Sequence, residues 1–97
     1  MKKRINLLLV GGGKGAKALL EIFAGKPGVS VVGVVDKSSD APGVILAKQL
    51  RIPVSDNYDE YLNDASIDLI ANVTGKRDVS EDILKRKTTK AELIGGE

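Results

Sequence analysis

Ile5-Asn6-Leu7-Leu8-Leu9-Val10, Gly11-Gly12-Gly13-Lys14-Gly15-Ala16, Lys17-Ala18-Leu19-Leu20-Glu21-Ile22-Phe23: an apolar run ends on three glycines and passes directly into a helical pattern. A short continuous apolar run bounded by turn residues reads as a buried strand. After the glycines, Leu19, Leu20 and Phe23 fall on one helical face. The local order is therefore strand, tight turn, helix. The same alternation continues outward from it. Gly25-Lys26-Pro27-Gly28 stops the first helix. Val29–Val35 is a near-continuous β-branched run, the composition of a strand covered on both faces, and it ends on Asp36.

Beyond the polar loop Lys37-Ser38-Ser39-Asp40, Pro42 suits a first helical turn, and the pattern Val44, Ile45, Ala47, Lys48, Leu50 continues that helix. Ile52-Pro53-Val54 reads as a short third strand whose proline places it at an edge or an end. Asp56 or Asn57 is the expected cap of a third helix over Tyr58–Asn63. Ile67–Val73 is the fourth strand, and Asp78 with Glu81 forms a capping-box pattern for a helix over Val79–Lys87. Ala91–Ile94 is a fifth strand. The alternation predicts an α/β fold: a doubly wound parallel sheet of about five strands with helices on both faces and right-handed crossovers. Residues 1–97 form one domain, and the stop just after the fifth strand is what a piece of a longer protein would show.

Composition removes several functions. Cysteine and histidine are absent, so disulfides, thiolate chemistry and a zinc site are not expected, and the commonest general base at neutral pH is missing. Phe23, Tyr58 and Tyr61 are the only aromatic residues, so the core must be aliphatic. A net charge of +2, without aromatic interleaving, gives no case for nucleic acid. Met1-Lys2-Lys3-Arg4 precedes an apolar run too short for a secretory signal and interrupted by Asn6. Nothing approaches the ~20 apolar residues of a membrane span. The expectation is a cytoplasmic protein with no metal, no nucleic acid and no membrane partner.

The glycine turn matches the phosphate-binding fingerprint of a dinucleotide-binding βαβ unit in two registers, Gly11-x-Gly13-x-x-Ala16 and Gly13-x-Gly15-x-x-Ala18. The first is preferred because Gly11 follows the strand directly. Gly11 then makes the turn, Gly13 lets a pyrophosphate approach the backbone, and Ala16 keeps helix and strand close. The helix N-terminus offers free N–H groups to phosphates. Lys14 is placed either to touch a phosphate or to stand in solvent. A turn that uses its glycines for packing alone is the alternative. The Walker-type pattern is excluded, because Leu8 and Gly15 stand where it needs glycine and Ser or Thr.

Asp36 lies 25 positions after Gly11, near the ~20 at which an acid binds the adenine-ribose hydroxyls. A carboxylate there favours NAD and repels the 2′-phosphate of NADP, although Lys37, Ser38 and Ser39 could accommodate that phosphate. Asn72-Val73-Thr74-Gly75 ends the fourth strand at the carboxyl edge, where ligands bind in open α/β sheets. Thr74 and Gly75 are the candidates there for the second half of a dinucleotide.

Taken together, Ile5–Gly13, Val31–Asp36, Ile52–Leu62 and Ile67–Gly75 resemble the N-terminal domain of the MocA-like (glucose-fructose oxidoreductase type) dehydrogenases. The domains of homoserine dehydrogenase and dihydrodipicolinate reductase are similar. The resemblance covers nearly the whole chain and implies a Rossmann fold that binds NAD(P), with Gly11, Gly13 and Ala16 in the phosphate loop, Asp36 on the ribose and Thr74-Gly75 at the strand-four exit. The chain departs from the family after the fifth strand: Gly95-Gly96-Glu97 stands where MocA-like enzymes carry a Glu-Lys-Pro motif. The chain is also similar to stand-alone Rossmann modules at the front of bacterial signalling proteins.

No candidate acid, base or nucleophile accompanies the fingerprint. The preferred expectation is a nucleotide-sensing or regulatory module joined to a domain beyond residue 97, with self-association into a homodimer as a further expectation. The alternatives are the cofactor-binding half of an NAD(P)-dependent oxidoreductase and a degenerate domain used for protein interaction. The basic run Lys85-Arg86-Lys87 is read as a solvated helix end.

Overall fold

The computed structural model describes residues 4–95; the departure at Gly95-Gly96-Glu97 is therefore visible only at Gly95. β1 (Ile5–Val10) is the middle strand of five, with β2 (Val29–Val35) on one side and β4 (Leu69–Asn72) on the other. β3 (Val54–Ser55) and β5 (Glu92–Gly95) are the edges, giving the order β3-β2-β1-β4-β5 with every pairing parallel. Successive side chains of a strand point to opposite faces, so β1 feeds two cores at once. Leu7 and Leu9 join Val34 and Ala71 beneath α1 (Lys14–Phe23) and α2 (Pro42–Gln49). Leu8 and Val10 join Val35 and Ile70 beneath α3 (Arg77–Arg86) and the 3-10 helix Asp59–Asn63, which contribute Ile83 and Leu62. All four β1 side chains are at most 3% exposed. Each contributes roughly 1.5–3 kcal/mol of burial, so the apolar run before the glycines organises both layers.

The doubly wound prediction holds, with differences at the ends of elements. The third helix is a 3-10 turn, and its N-cap position is Tyr58 rather than Asp56 or Asn57; Asn57 instead accepts the Asp59 amide at 3.0 Å through its side-chain oxygen. β3 begins after Pro53 and has only two residues. The Asp78–Glu81 capping box does not form: α3 starts two residues earlier than the pattern predicts, behind Lys76, and no side chain caps it. Asp78 instead lies in the first turn, where its charge complements the helix dipole.

The end of α2 carries the one left-handed non-glycine residue among those described, Arg51 at φ 62°. Its amide donates to the Lys48 carbonyl at 3.1 Å, and the Ile52 amide to the Ala47 carbonyl at 2.8 Å. This bond pair closes a helix in the Schellman manner, a position glycine normally takes. An L side chain in this conformation costs about 1–2 kcal/mol, and glycine returns part of that gain through its freer unfolded chain. Arg51→Gly should therefore raise the urea midpoint, by about 0.5–1 kcal/mol in stability, whereas Arg51→Val should lower it.

Candidate functional site

The carboxyl ends of β1, β2 and β4 meet around the glycine turn. Gly11 has φ +106°, and its amide donates to the Val35 carbonyl at 2.7 Å. A Cβ at this position would lie 3.0 Å from the Thr74 nitrogen. Gly12 is more confined. Its amide donates to Asp36 Oδ2 at 2.7 Å and its carbonyl accepts the Gly43 amide at 2.6 Å. A Cβ on Gly12 would come within 2.6 Å of Val44 Cγ2, and one on Gly43 within 2.7 Å of the Gly12 carbonyl oxygen and 2.9 Å of Ala16 Cβ. The start of α2 thus packs on the turn and on α1 through bare backbone. Gly13 differs from both: nothing lies within 4 Å of a Cβ added there. It precedes α1, whose first turn carries neither a side-chain cap nor an acidic residue, so the leading N–H groups are left for an anion.

Asp36 stands beside this open position. Oδ2 holds Gly12 and Oδ1 accepts the Ser38 amide at 2.8 Å. Each oxygen retains acceptor capacity toward the groove. The Ser38 hydroxyl is spent on Asp40 Oδ1 at 2.6 Å.

At the end of β4, Asn72 is 2% exposed and uses all of its hydrogen-bonding capacity. Nδ2 donates to the Lys76 carbonyl and to Ser80 Oγ at 2.9 and 2.8 Å, and Oδ1 accepts from the Thr74 amide and hydroxyl at 3.1 and 2.6 Å. The Thr74 hydroxyl also accepts the Lys76 amide at 3.0 Å, so it is occupied within the loop. Ser80 passes its own proton to the Gly95 carbonyl at 3.3 Å, linking the exit loop to the end of β5.

A groove of about 660 Å³ opens between these ends. Gly11, Gly13, Asp36, Lys37 and Thr74 line it. Ala16 is fully buried beneath, packing helix to sheet. Lys14, Gly15 and Gly75 are exposed and are not among its lining residues. The groove also has a wall that the sequence reading missed. The Tyr58 hydroxyl donates to Asp82 Oδ2 at 2.6 Å, and Arg86 Nη1 donates to the same oxygen at 2.9 Å. Arg86 Nη2 bonds Asp59, and the guanidinium lies 5.7 Å from the Tyr58 ring centre. Arg86 is therefore a braced groove residue and not a free helix-end charge. Burial first, and then the bond to Asp82, push the Tyr58 phenol up to about 12. The bonds from Tyr58 and Arg86 hold the Asp82 carboxyl below its usual range.

Gly12, Gly43, Asn72, Tyr58 and Arg86 are the residues that motif reading did not assign to the site. Gly43 had a signal, since a glycine inside a helical pattern often marks a close packing contact. Tyr58 and Arg86 had none, because their meeting depends on the β3–β4 and β4–β5 crossovers packing side by side on one face of the sheet. Among the described residues, no cluster of three or more Asp, Glu, His or Cys could hold a metal ion, and no helix is long and apolar enough to cross a membrane.

Two measurements check this geometry. Gly12→Ala and Gly43→Ala should each lose about 1–3 kcal/mol in denaturant unfolding through overpacking, despite the helical gain of about 1 kcal/mol that alanine brings at position 43. Gly13→Ala should move stability by less than about 0.5 kcal/mol. The second concerns alkaline pH. The folded Tyr58 pKa, about 12, exceeds its ordinary value of 10.0, so the fold favours the protonated phenol. That contribution is complete below pH 10 and is lost as pH rises through 12. Ultraviolet titration should show Tyr58 ionising near pH 12, and Tyr58→Phe should flatten the loss of stability across this window.

No protein-family model matches the chain, and no curated protein matches it. Solved structures do. GenD2 of gentamicin A biosynthesis, solved in complex with NAD, superposes with a TM-score of 0.73 at 22% identity, over 92% of this chain and 26% of that one. An NAD-binding protein from Listeria innocua gives 0.72 at 19% identity, over 95% and 26%. Homoserine dehydrogenase from S. aureus gives 0.66 at 20% identity, over 90% and 24%. The chain spans about a quarter of the length of each. With its five-stranded parallel sheet and glycine turn, the chain has the Rossmann-like α/β fold that these proteins contain.

Proposed function

We propose that this chain is a dinucleotide-binding module, selective for NAD over NADP, that acts as the sensing or regulatory domain of a larger cytoplasmic protein. The observation that carries this reading is the pairing of open backbone at Gly13 with the fixed carboxylate of Asp36 in one groove. A pyrophosphate over Gly13 meets the unspent N–H groups at the start of α1. The adenine ribose then falls on Asp36, whose spare lone pairs accept its hydroxyls. A 2′-phosphate would meet that carboxylate, and the Ser38 hydroxyl that could soften the repulsion is committed to Asp40. The likeness to NAD-binding proteins supports the same ligand.

The regulatory part rests on what lines the groove. Its phenol, Tyr58, donates to Asp82 and is protonated at neutral pH, as any phenol is, and its pKa is pushed further up to about 12, so it is unsuited to act as a base there. When bound, a nicotinamide supplies hydride chemistry; the residues of this chain would hold the dinucleotide that carries it. The second reading, the cofactor-binding half of an oxidoreductase, is favoured by the oxidoreductases among the structural neighbours and by their greater length. In both readings an attached or partner domain, beyond residue 97, completes the function.

Titration calorimetry with NAD⁺ and NADP⁺ tests the ligand. NAD⁺ should bind more tightly than NADP⁺. Gly13→Val should abolish binding while leaving the unfolding midpoint in place, because the added side chain projects into open space. Asp36→Asn keeps an acceptor for Gly12 but loses charge-assisted bonds, so it should weaken NAD⁺ by about tenfold and narrow the gap to NADP⁺. Absence of NAD⁺ binding by the unaltered chain overturns the proposal.

A further inference from the structure

We propose that the chain recognises only the adenosine-diphosphate half of its ligand, so that it gauges adenine dinucleotides and ADP-ribose together and is blind to the oxidation state of nicotinamide. The inference deepens the dinucleotide reading and rests on it. With the pyrophosphate at the β1 turn, the two halves of a dinucleotide diverge over opposite sides of the sheet. One side runs over the ends of β2 and β3. There the groove is walled by Asp36, Lys37, Asn57 and Tyr58 and closed from α3 by Arg86. These groups are held for recognition. Asp36 is fixed by two backbone amides with lone pairs to spare. Arg86 is clamped by Asp59 and Asp82 against the Tyr58 ring, a planar wall suited to a flat base.

The other side runs over β4 and β5 and is built differently. On this side the groove is lined by Val73, Thr74 and Lys76 and by Asp78 and Val79 from the start of α3, and none of Glu92–Gly95 lines it. The buried polar groups at this end are already used, and the charged ends of Lys76 and Asp78 stand in solvent. Asn72 is saturated by Thr74, Lys76 and Ser80, and the Thr74 hydroxyl is bonded on both sides. Among the described residues, a carboxamide arriving here meets no buried side-chain donor or acceptor awaiting a partner. Affinity gained through imperfectly paired polar contacts is small, so the nicotinamide half adds little in either redox state.

The test is calorimetry on the full chain with four probes: NAD⁺, NADH, ADP-ribose and nicotinamide mononucleotide. The expected result is dissociation constants for the first three within about threefold of one another, with no detectable binding of the mononucleotide. An ADP-ribose affinity more than about tenfold below that of NAD⁺, or a gap of that size between NAD⁺ and NADH, overturns the inference while leaving the dinucleotide reading intact. Failure of all four probes to bind overturns both.

Discussion

The site depends on a stretch of main chain that tolerates no side chain. At Gly12 the amide is taken by Asp36 and the carbonyl by Gly43, and a Cβ would strike Val44. These two bonds tie the β1 turn to the end of β2 and to the start of α2. They set the orientation of the Asp36 carboxylate and the approach of α2 to α1 through Ala16. The open position at Gly13 exists because its neighbour is held from both sides. Packing accounts for Gly11 and Gly12, whereas Gly13, at φ −80° and with open space around it, is not required by any packing contact.

Polar fixtures on the two flanks of the groove work by different physics. Asn72 is buried, so each of its four bonds replaces water that cannot reach it, and leaving one unmade would be costly. It therefore holds the exit loop in a single arrangement. Arg86 stands largely in solvent, where an isolated ion pair is worth little. Its rigidity comes from geometry: two carboxylates grip the guanidinium, and the Tyr58 ring lies close by. One flank is fixed because it is dry, and the other because several weak contacts converge on one planar group.

The sequence exposes those parts of this architecture that follow from local pattern. β1, the glycine turn and α1 are legible because an apolar run, a glycine cluster and a helical period follow one another without a gap. β2 and Asp36 are legible for a similar reason. Boundaries failed where tertiary contacts overrode local signals. Asp78 and Glu81 match a capping box, yet α3 begins at Arg77, because Asn72 captures the Lys76 carbonyl and draws the chain into the helix early. Asp59–Asn63 tightens to a 3-10 turn in a segment too short for a stable α-helix. The Tyr58–Asp82–Arg86 wall was illegible, since its members lie 24 or more positions apart or read as ordinary surface charge.

The central place of β1 also governs how the groove comes into being. The pairing of β1 with β2 and the packing of α1 and α2 are made within the first half of the chain. The contact with β4 is not: Asn6 must find Asp68, 62 positions away. Closing a loop of that length adds an entropic cost that grows only slowly with its size, but the contacts that offset it arrive together. Asp36 and the glycine turn belong to the early half; Thr74, Tyr58 and Arg86 belong to the late one. The groove therefore needs both halves of the chain in place, and a ligand touching both would stabilise only the closed sheet, by an amount that grows with the logarithm of its concentration over its dissociation constant. A ligand of this groove would then shift the folding equilibrium as well as fill the site.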